Sequence, residues 1–163
     1  MKDDIKDLEY IVSEIRKESK KIVFTNGVFD ILHKGHVDYL KESANFGNVL
    51  IVGVNSDSSV KRLKGEDRPV NPENDRAFIL SELRSVDYVV IFDEDTPVEL
   101  INFILPDVLV KGSDYDPDVT DKNDPRFIVG SDIVKKNGGE VKVVKLTPGR
   151  STTQTIKKMR KQL

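Results

Sequence analysis

The chain has 163 residues, enough for one compact domain with a layered core. Its 26 Lys plus Arg stand against 28 Asp plus Glu, a net charge of −2, which leaves no basic surplus for a nucleic-acid backbone. The absence of cysteine excludes disulfides, thiolate metal sites and cysteine nucleophiles, and without a signal peptide at Met1-Lys2-Asp3-Asp4 or an apolar run near the ~20 residues of a membrane span, a cytoplasmic protein with no membrane or nucleic-acid partner is expected.

Ile5, Leu8, Ile11, Val12 and Ile15 recur at helical spacing and predict an amphipathic helix over residues 3–19, read either as a packing element or as part of a homodimer contact. Lys21-Ile22-Val23-Phe24-Thr25 predicts a first buried strand, which Asn26-Gly27 is expected to break. A helix is expected from His36 to Phe46, closed by Gly47-Asn48, followed by a second buried strand over residues 49–54. Residues 56–73 mix Ser, Asp, Lys, Arg, Gly and Pro without a clear period and predict a long functional loop. A helix over residues 74–83 and a third strand over 88–92 come next. Thr96 then reads as an N-cap, with Pro97 at the first helical position of a helix reaching Ile104. A fourth strand at 107–110, a polar loop at 113–126, a helix at 130–136, a fifth strand at 141–144 and a last helix capped by Ser151 or Thr152 complete the chain.

Strands therefore alternate with helices throughout, the pattern of a parallel sheet covered on both faces. No interdomain linker interrupts it, so residues 1–19 are read as a helix leading into one core over 20–163. Ligands of such sheets bind outside the carboxyl ends of the strands, where strand order switches.

The loop after the first strand reads Thr25-Asn26-Gly27-Val28-Phe29-Asp30-Ile31-Leu32-His33-Lys34-Gly35-His36 and holds both histidines of the chain. Gly35 lets a phosphate approach the backbone. A helix start there offers free N–H groups and a favourable dipole, and two imidazoles beside it can donate to phosphoryl oxygens as charge builds. Two histidines without a third ligand make a poor zinc site, so no protein-held metal is expected. Arg150-Ser151-Thr152-Thr153 before the last helix is an anion site by its hydroxyls and guanidinium, or an ordinary helix cap. Lys61, Lys64 and Arg68 lie in a basic stretch that is either a flap closing over phosphates or a solvated loop. Arg76 either binds a substrate phosphate or pairs with nearby acids. Asp114, after Lys111-Gly112, either accepts hydrogen bonds from a ribose or serves a turn.

His33-Lys34-Gly35-His36 resembles the H-x-G-H signature of the nucleotidyltransferase superfamily that includes the cytidylyltransferases, and Ser151-Thr152-Thr153 resembles its second signature. The resemblance implies a Rossmann-like three-layer α/β/α fold with a five-stranded parallel sheet in the order 3-2-1-4-5. It also implies catalytic roles for His33, His36 and Lys64. Asn26, Gly27, Val28, Phe29, Gly35, Asp114, Arg150, Ser151, Thr152 and Thr153 would join the two histidines in holding the nucleotide. Asp30, Asn55, Lys61, Arg68, Arg76 and Lys111 would bind the second substrate, and Mg²⁺ would ride on the triphosphate.

From about Lys20 to Lys158 the chain is similar to the D-glycero-D-manno-heptose 1-phosphate adenylyltransferase branch. The resemblance runs through Arg62-Leu63-Lys64-Gly65, Leu83-Arg84-Ser85-Val86-Asp87-Tyr88, Phe92-Asp93-Glu94-Asp95-Thr96-Pro97 and Val110-Lys111-Gly112. It implies AMP transfer from ATP to a sugar 1-phosphate. Cytidylyl transfer from CTP to glycerol 3-phosphate or another polyol or sugar phosphate is the alternative. Val28 replaces a frequent cysteine of that branch, residues 115–129 are longer than usual there, and a separate kinase would have to supply the sugar phosphate. A receiver-like signalling module would share the sheet and use Asp30, an acid near Asp93, and Lys111. Its lysine, however, would follow the fifth strand, and it leaves the histidine pair unused.

Overall fold

The computed structural model describes residues 5–147 together with Gly149, Thr152, Thr155, Ile156 and Lys158. In chain order the elements are α1 (Ile5–Lys17), β1 (Ile22–Gly27), α2 (Lys34–Ala44), β2 (Val49–Asn55), α3 (Asp57–Lys64), α4 (Glu73–Ser81), β3 (Tyr88–Phe92), α5 (Val98–Ile104), β4 (Val108–Gly112), α6 (Ser131–Lys136) and β5 (Glu140–Val144). All five strands are parallel and lie in the order β3-β2-β1-β4-β5.

Alternating side chains on the central strands divide the core in two. Val23, Leu50, Val52 and Val54 pack with Tyr39 and Leu40 of α2 and Ala77 and Leu80 of α4 on one face. Ile22, Phe24, Val49 and Ile51 pack with Leu8 and Ile15 of α1, Ile101 and Ile104 of α5 and Val134 of α6 on the other. The result is the α/β/α sandwich expected of the sequence. The apolar stripe of α1 covers this second face. Arg16 fastens the helix there, donating to Asp107 Oδ2 at 2.7 Å and to the Leu105 carbonyl at 2.6 Å. The same Asp107 oxygen accepts the Ile22 amide, and Asp87 accepts the Leu50 amide, each at 2.7 Å, so carboxylates order the starts of β1 and β2.

Four sequence expectations are corrected. Residues 56–73 are not one loop, because α3 occupies Asp57–Lys64. The Ser56 hydroxyl accepts the Ser59 amide at 3.0 Å, and Gly65 ends the helix at φ 96°, a conformation that suits glycine. Eight residues that bury little beyond Val60 are too few for a visible period. Asn26-Gly27 does not break β1, since both residues stay in register with Gly53 and Val54 of β2. The helix expected from His36 begins two residues earlier, at Lys34. Finally, Pro97 rather than Thr96 is the N-cap of α5, with no side-chain capping bond. The expected C-terminal helix falls largely outside the described residues, although Thr152, Thr155, Ile156 and Lys158 have helical backbone. No described helix is long and apolar enough to cross a membrane.

Candidate active site

Strand order switches between β1 and β4, and a cavity of about 700 Å³ opens at their carboxyl ends. Its floor is built by the strand ends Asn26-Gly27 and Lys111-Gly112. A Cβ at Gly112 would stand 2.7 Å from Asp114 Oδ1 and 3.0 Å from Leu146, so any larger residue would push both side chain ends aside.

One wall is the first turn of α2. His33 is its N-cap residue, with extended backbone (φ −143°, ψ 169°), and His36 closes the first turn through an amide bond to the His33 carbonyl at 2.9 Å. The amides of Lys34 and Gly35 therefore stand at a helix start, where no intrahelical acceptor exists for them. The buried Tyr39 hydroxyl holds this helix over the switch point. It receives the Thr25 hydroxyl at 2.7 Å and donates to the Val110 carbonyl at 3.1 Å, linking α2 to β1 and β4.

The two imidazoles stack with ring centroids 3.8 Å apart and planes 12° from parallel, and Phe29 packs edge-on against His36 at 5.4 Å. Nδ1 of each histidine is buried and has no hydrogen-bond partner among the described residues. Burial, followed by repulsion from His33, pushes His36 down from 6.5 to about 4, so it is neutral near pH 7. A neutral imidazole still donates from one ring nitrogen to an anion.

The sign of this shift sets a stability trend. Between pH 6.5 and 4 the unfolded chain binds a proton at His36 that the folded chain refuses, so conformational stability falls as pH drops through that window. Urea midpoints of wild type and His36→Asn across the window test this. The wild type is expected to lose more stability than the variant, and parallel profiles would refute the assignment.

Lys111 also lines the cavity, and burial pushes it down to about 8, opposed by the Asp114 charge. Its ammonium donates to Asn26 Oδ1 and sits 5.6 Å from the centre of the Tyr115 ring. Lys64 at the end of α3 and Arg68 line the same space, as do Asn55, Asp30 and Asp114. Thr152 also lines the cavity, its hydroxyl donating to the Ile31 carbonyl at 3.4 Å in the loop that leads to His33. The cavity thus brings together Asn26, Gly27, Val28, Phe29, Asp30, His33, Gly35, His36, Asn55, Lys64, Arg68, Lys111, Asp114 and Thr152. Arg150, Ser151 and Thr153 lie outside the described residues.

Two residues expected at the site stand apart from it. Lys61 is exposed on α3 and does not line the cavity. Arg76 is 1% exposed and donates to the carbonyls of Asn71, Val28 and Asn55 and to Asp57 Oδ1, at 2.6–2.9 Å. Fully engaged inside the fold, its guanidinium holds the loop after β1, the end of β2 and the approach to α4 in place. Arg62, in the basic stretch, pairs with Asp95 at 2.6 Å. Leu63, Thr96, Pro97, Tyr115, Val129 and Thr147 also line the cavity, beyond what the sequence predicts. Thr96-Pro97 reads locally as a helix start, and Thr147 carries no local signal beyond its nearness in sequence to Arg150-Ser151-Thr152-Thr153.

The cytidylyltransferase-like family model matches residues 24–158. The chain is 54% identical to the bifunctional protein HldE of a Nitratiruptor species, over 96% of this chain and 31% of that one. It is also 54% identical to the HldE of Citrobacter koseri, over 95% and 31%. It thus spans about a third of the length of these curated relatives. Among solved structures, a lipopolysaccharide core biosynthesis protein from Thermoplasma volcanium is 33% identical with a TM-score of 0.59, over 78% of this chain and 97% of that one. A pantoate-beta-alanine ligase from Francisella tularensis, complexed with beta-gamma ATP and beta-alanine, shares the fold alone at 15% identity, with a TM-score of 0.58 over 92% and 67%. By this match and by the residues gathered at its switch point, the chain belongs to the cytidylyltransferase-like family and is a nucleotidyltransferase.

Proposed function

We propose that the protein transfers AMP from ATP to D-glycero-D-manno-heptose 1-phosphate in the cytoplasm, releasing pyrophosphate and forming ADP-heptose for lipopolysaccharide or another surface glycan. One observation carries this reading. The stacked His33 and His36 at the start of α2 share one cavity with Lys64, Arg68, Lys111 and Thr152, an arrangement suited to a polyphosphate and a second phosphate together. The similarity to the HldE proteins supports the choice of acceptor.

A phosphate oxygen of the acceptor attacks the α-phosphorus in line, a new P–O bond forms, and the bond to the bridging oxygen breaks as pyrophosphate leaves. The attacking phosphate is already ionised, so positioning and charge stabilisation carry the rate. His33 and His36 donate to oxygens of the reacting and bridging phosphates. The Lys34 and Gly35 amides hold phosphate oxygens at the helix start, Lys64 offsets the growing charge, and Arg68 faces the acceptor. Arg150, Ser151, Thr152 and Thr153 grip the β- and γ-phosphates. Asn26, Gly27, Val28, Phe29 and Asp114 contact the nucleotide, while Asn55 and Lys111 face the acceptor.

Around the histidines the donors are neutral or cationic and suit phosphate, and the Asp30 carboxylate is already taken by Arg68 and two amides. Mg²⁺ would come with the triphosphate, held mainly by its oxygens and water, and would supply charge neutralisation there.

The test is a panel of nucleoside triphosphates crossed with sugar and polyol phosphates, read by pyrophosphate release. ATP with the heptose 1-phosphate is expected to exceed every other pair by at least ~10-fold in kcat/KM. Preference for CTP with glycerol 3-phosphate would replace adenylyl by cytidylyl transfer.

A further inference from the structure

Asp30 is expected from the sequence to touch substrate, yet its carboxylate is already saturated. Oδ2 accepts Arg68 Nε at 2.7 Å, and Oδ1 accepts the amides of Val70 and Asn71 at 2.8 and 3.0 Å. The Asn71 side chain returns a bond to the Asp30 carbonyl at 2.6 Å. The side chain of Asp30 is 1% exposed and that of Arg68 17%. From the other side, Arg76 Nε holds the Asn71 carbonyl at 2.9 Å while its Nη1 holds the Val28 carbonyl at 2.6 Å. Residues 68–71 are thus pinned between a buried acid and a buried base.

The consequence falls on Arg68. Its Nε is committed to Asp30, and its two Nη nitrogens donate to no described residue while the side chain lines the cavity. A guanidinium fixed through Nε presents the paired Nη edge, the geometry that grips two oxygens of one phosphate. The charges of Asp30 and Arg68 largely cancel, so this site selects by the direction of its hydrogen bonds more than by net field. Held open to rotation, the same arginine would have to be ordered anew at each binding event.

We propose that Asp30 is a positioning residue, not a substrate ligand: through Arg68 it presets a two-pronged grip on the phosphate of the acceptor substrate. This rests on the transfer reaction proposed above.

Two measurements separate the latch from that reaction. Hydrogen exchange needs no substrate. In Asp30→Ala, which removes the oxygen that accepts both amides, Val70 and Asn71 are expected to exchange at least ~10-fold faster than in wild type, while Leu50 and Val52 in β2 stay protected. Unchanged exchange at 70 and 71 would overturn the latch whatever the enzyme transfers.

The second measurement is steady-state kinetics on the same protein. Asp30→Ala is expected to raise KM for the acceptor phosphate at least ~10-fold and leave KM for the nucleoside triphosphate within about 2-fold. Arg68→Met should give the same split, with the double variant no worse than the worse single one. A rise confined to the nucleotide KM, or additive losses, would overturn the role assigned to Asp30. If wild type turns over no pair in the panel but the exchange difference appears, the reaction fails and the latch stands.

Discussion

His36→Ala is expected to lower kcat by ~10²–10³-fold while α2 and the fold persist. The loss follows from removing one preset donor to the oxygens on which charge develops. Alanine is a strong helix former, and His36 lies in the first turn of α2, so the backbone has no reason to change. Its ring contacts Phe29 and His33 only at the cavity wall, and the helix is fastened independently by Tyr39 to Thr25 and Val110. The triphosphate should still bind within a few-fold of wild type, because the helix amides remain. Stopped-flow or steady-state rates, with a thermal melt as control, decide it. Near-normal turnover in a folded variant would remove His36 from the mechanism. Because His33 stacks on His36, His33→Ala should show a loss of similar order, and the double variant should fall short of the product of the two.

Arg76→Met is expected to cost at least ~2 kcal/mol of stability, because it takes the donor from three backbone carbonyls inside the fold, at ~1–3 kcal/mol for each buried group left unsatisfied, while Asp57 can turn to solvent. The replaced side chain is similar in length and apolar, so packing is largely kept. What is lost is the guanidinium partner of four acceptors: the Asn71, Val28 and Asn55 carbonyls and Asp57 Oδ1. Lysine cannot reach four acceptors in different directions from one nitrogen, so Arg76→Lys should recover only part of the loss. Urea unfolding at constant m measures this. Since Val28 and Asn55 both line the cavity, the folded fraction should also lose activity. A midpoint unchanged from wild type would show that the guanidinium is not the fastener described.

The alternation of strands with helices, and with it the layered parallel sheet, is legible in the sequence. Runs such as Val49-Leu50-Ile51-Val52 bury both faces and show no polar alternation. The histidine pair is equally visible, because two imidazoles three residues apart after a strand fix their own neighbourhood on a helix start. Helix α3 is not legible, because eight capped residues with little apolar content carry no periodicity.

The sequence by itself determined the five strands, the helices α1, α2, α4, α5 and α6, their order, and the loop that carries the imidazoles, because apolar patterning and short-range spacing act within a few residues. Only the tertiary structure decided which charges face the cavity and which are consumed inside. Arg76 meets Val28 across 48 positions, Asp30 meets Arg68 across 38, and Lys111 meets Asn26 across 85. A charged side chain reads the same locally whether it awaits a phosphate or a carbonyl. Its role is set by which acceptor the folded chain brings within about 3 Å, since an unpartnered charge is too costly to bury.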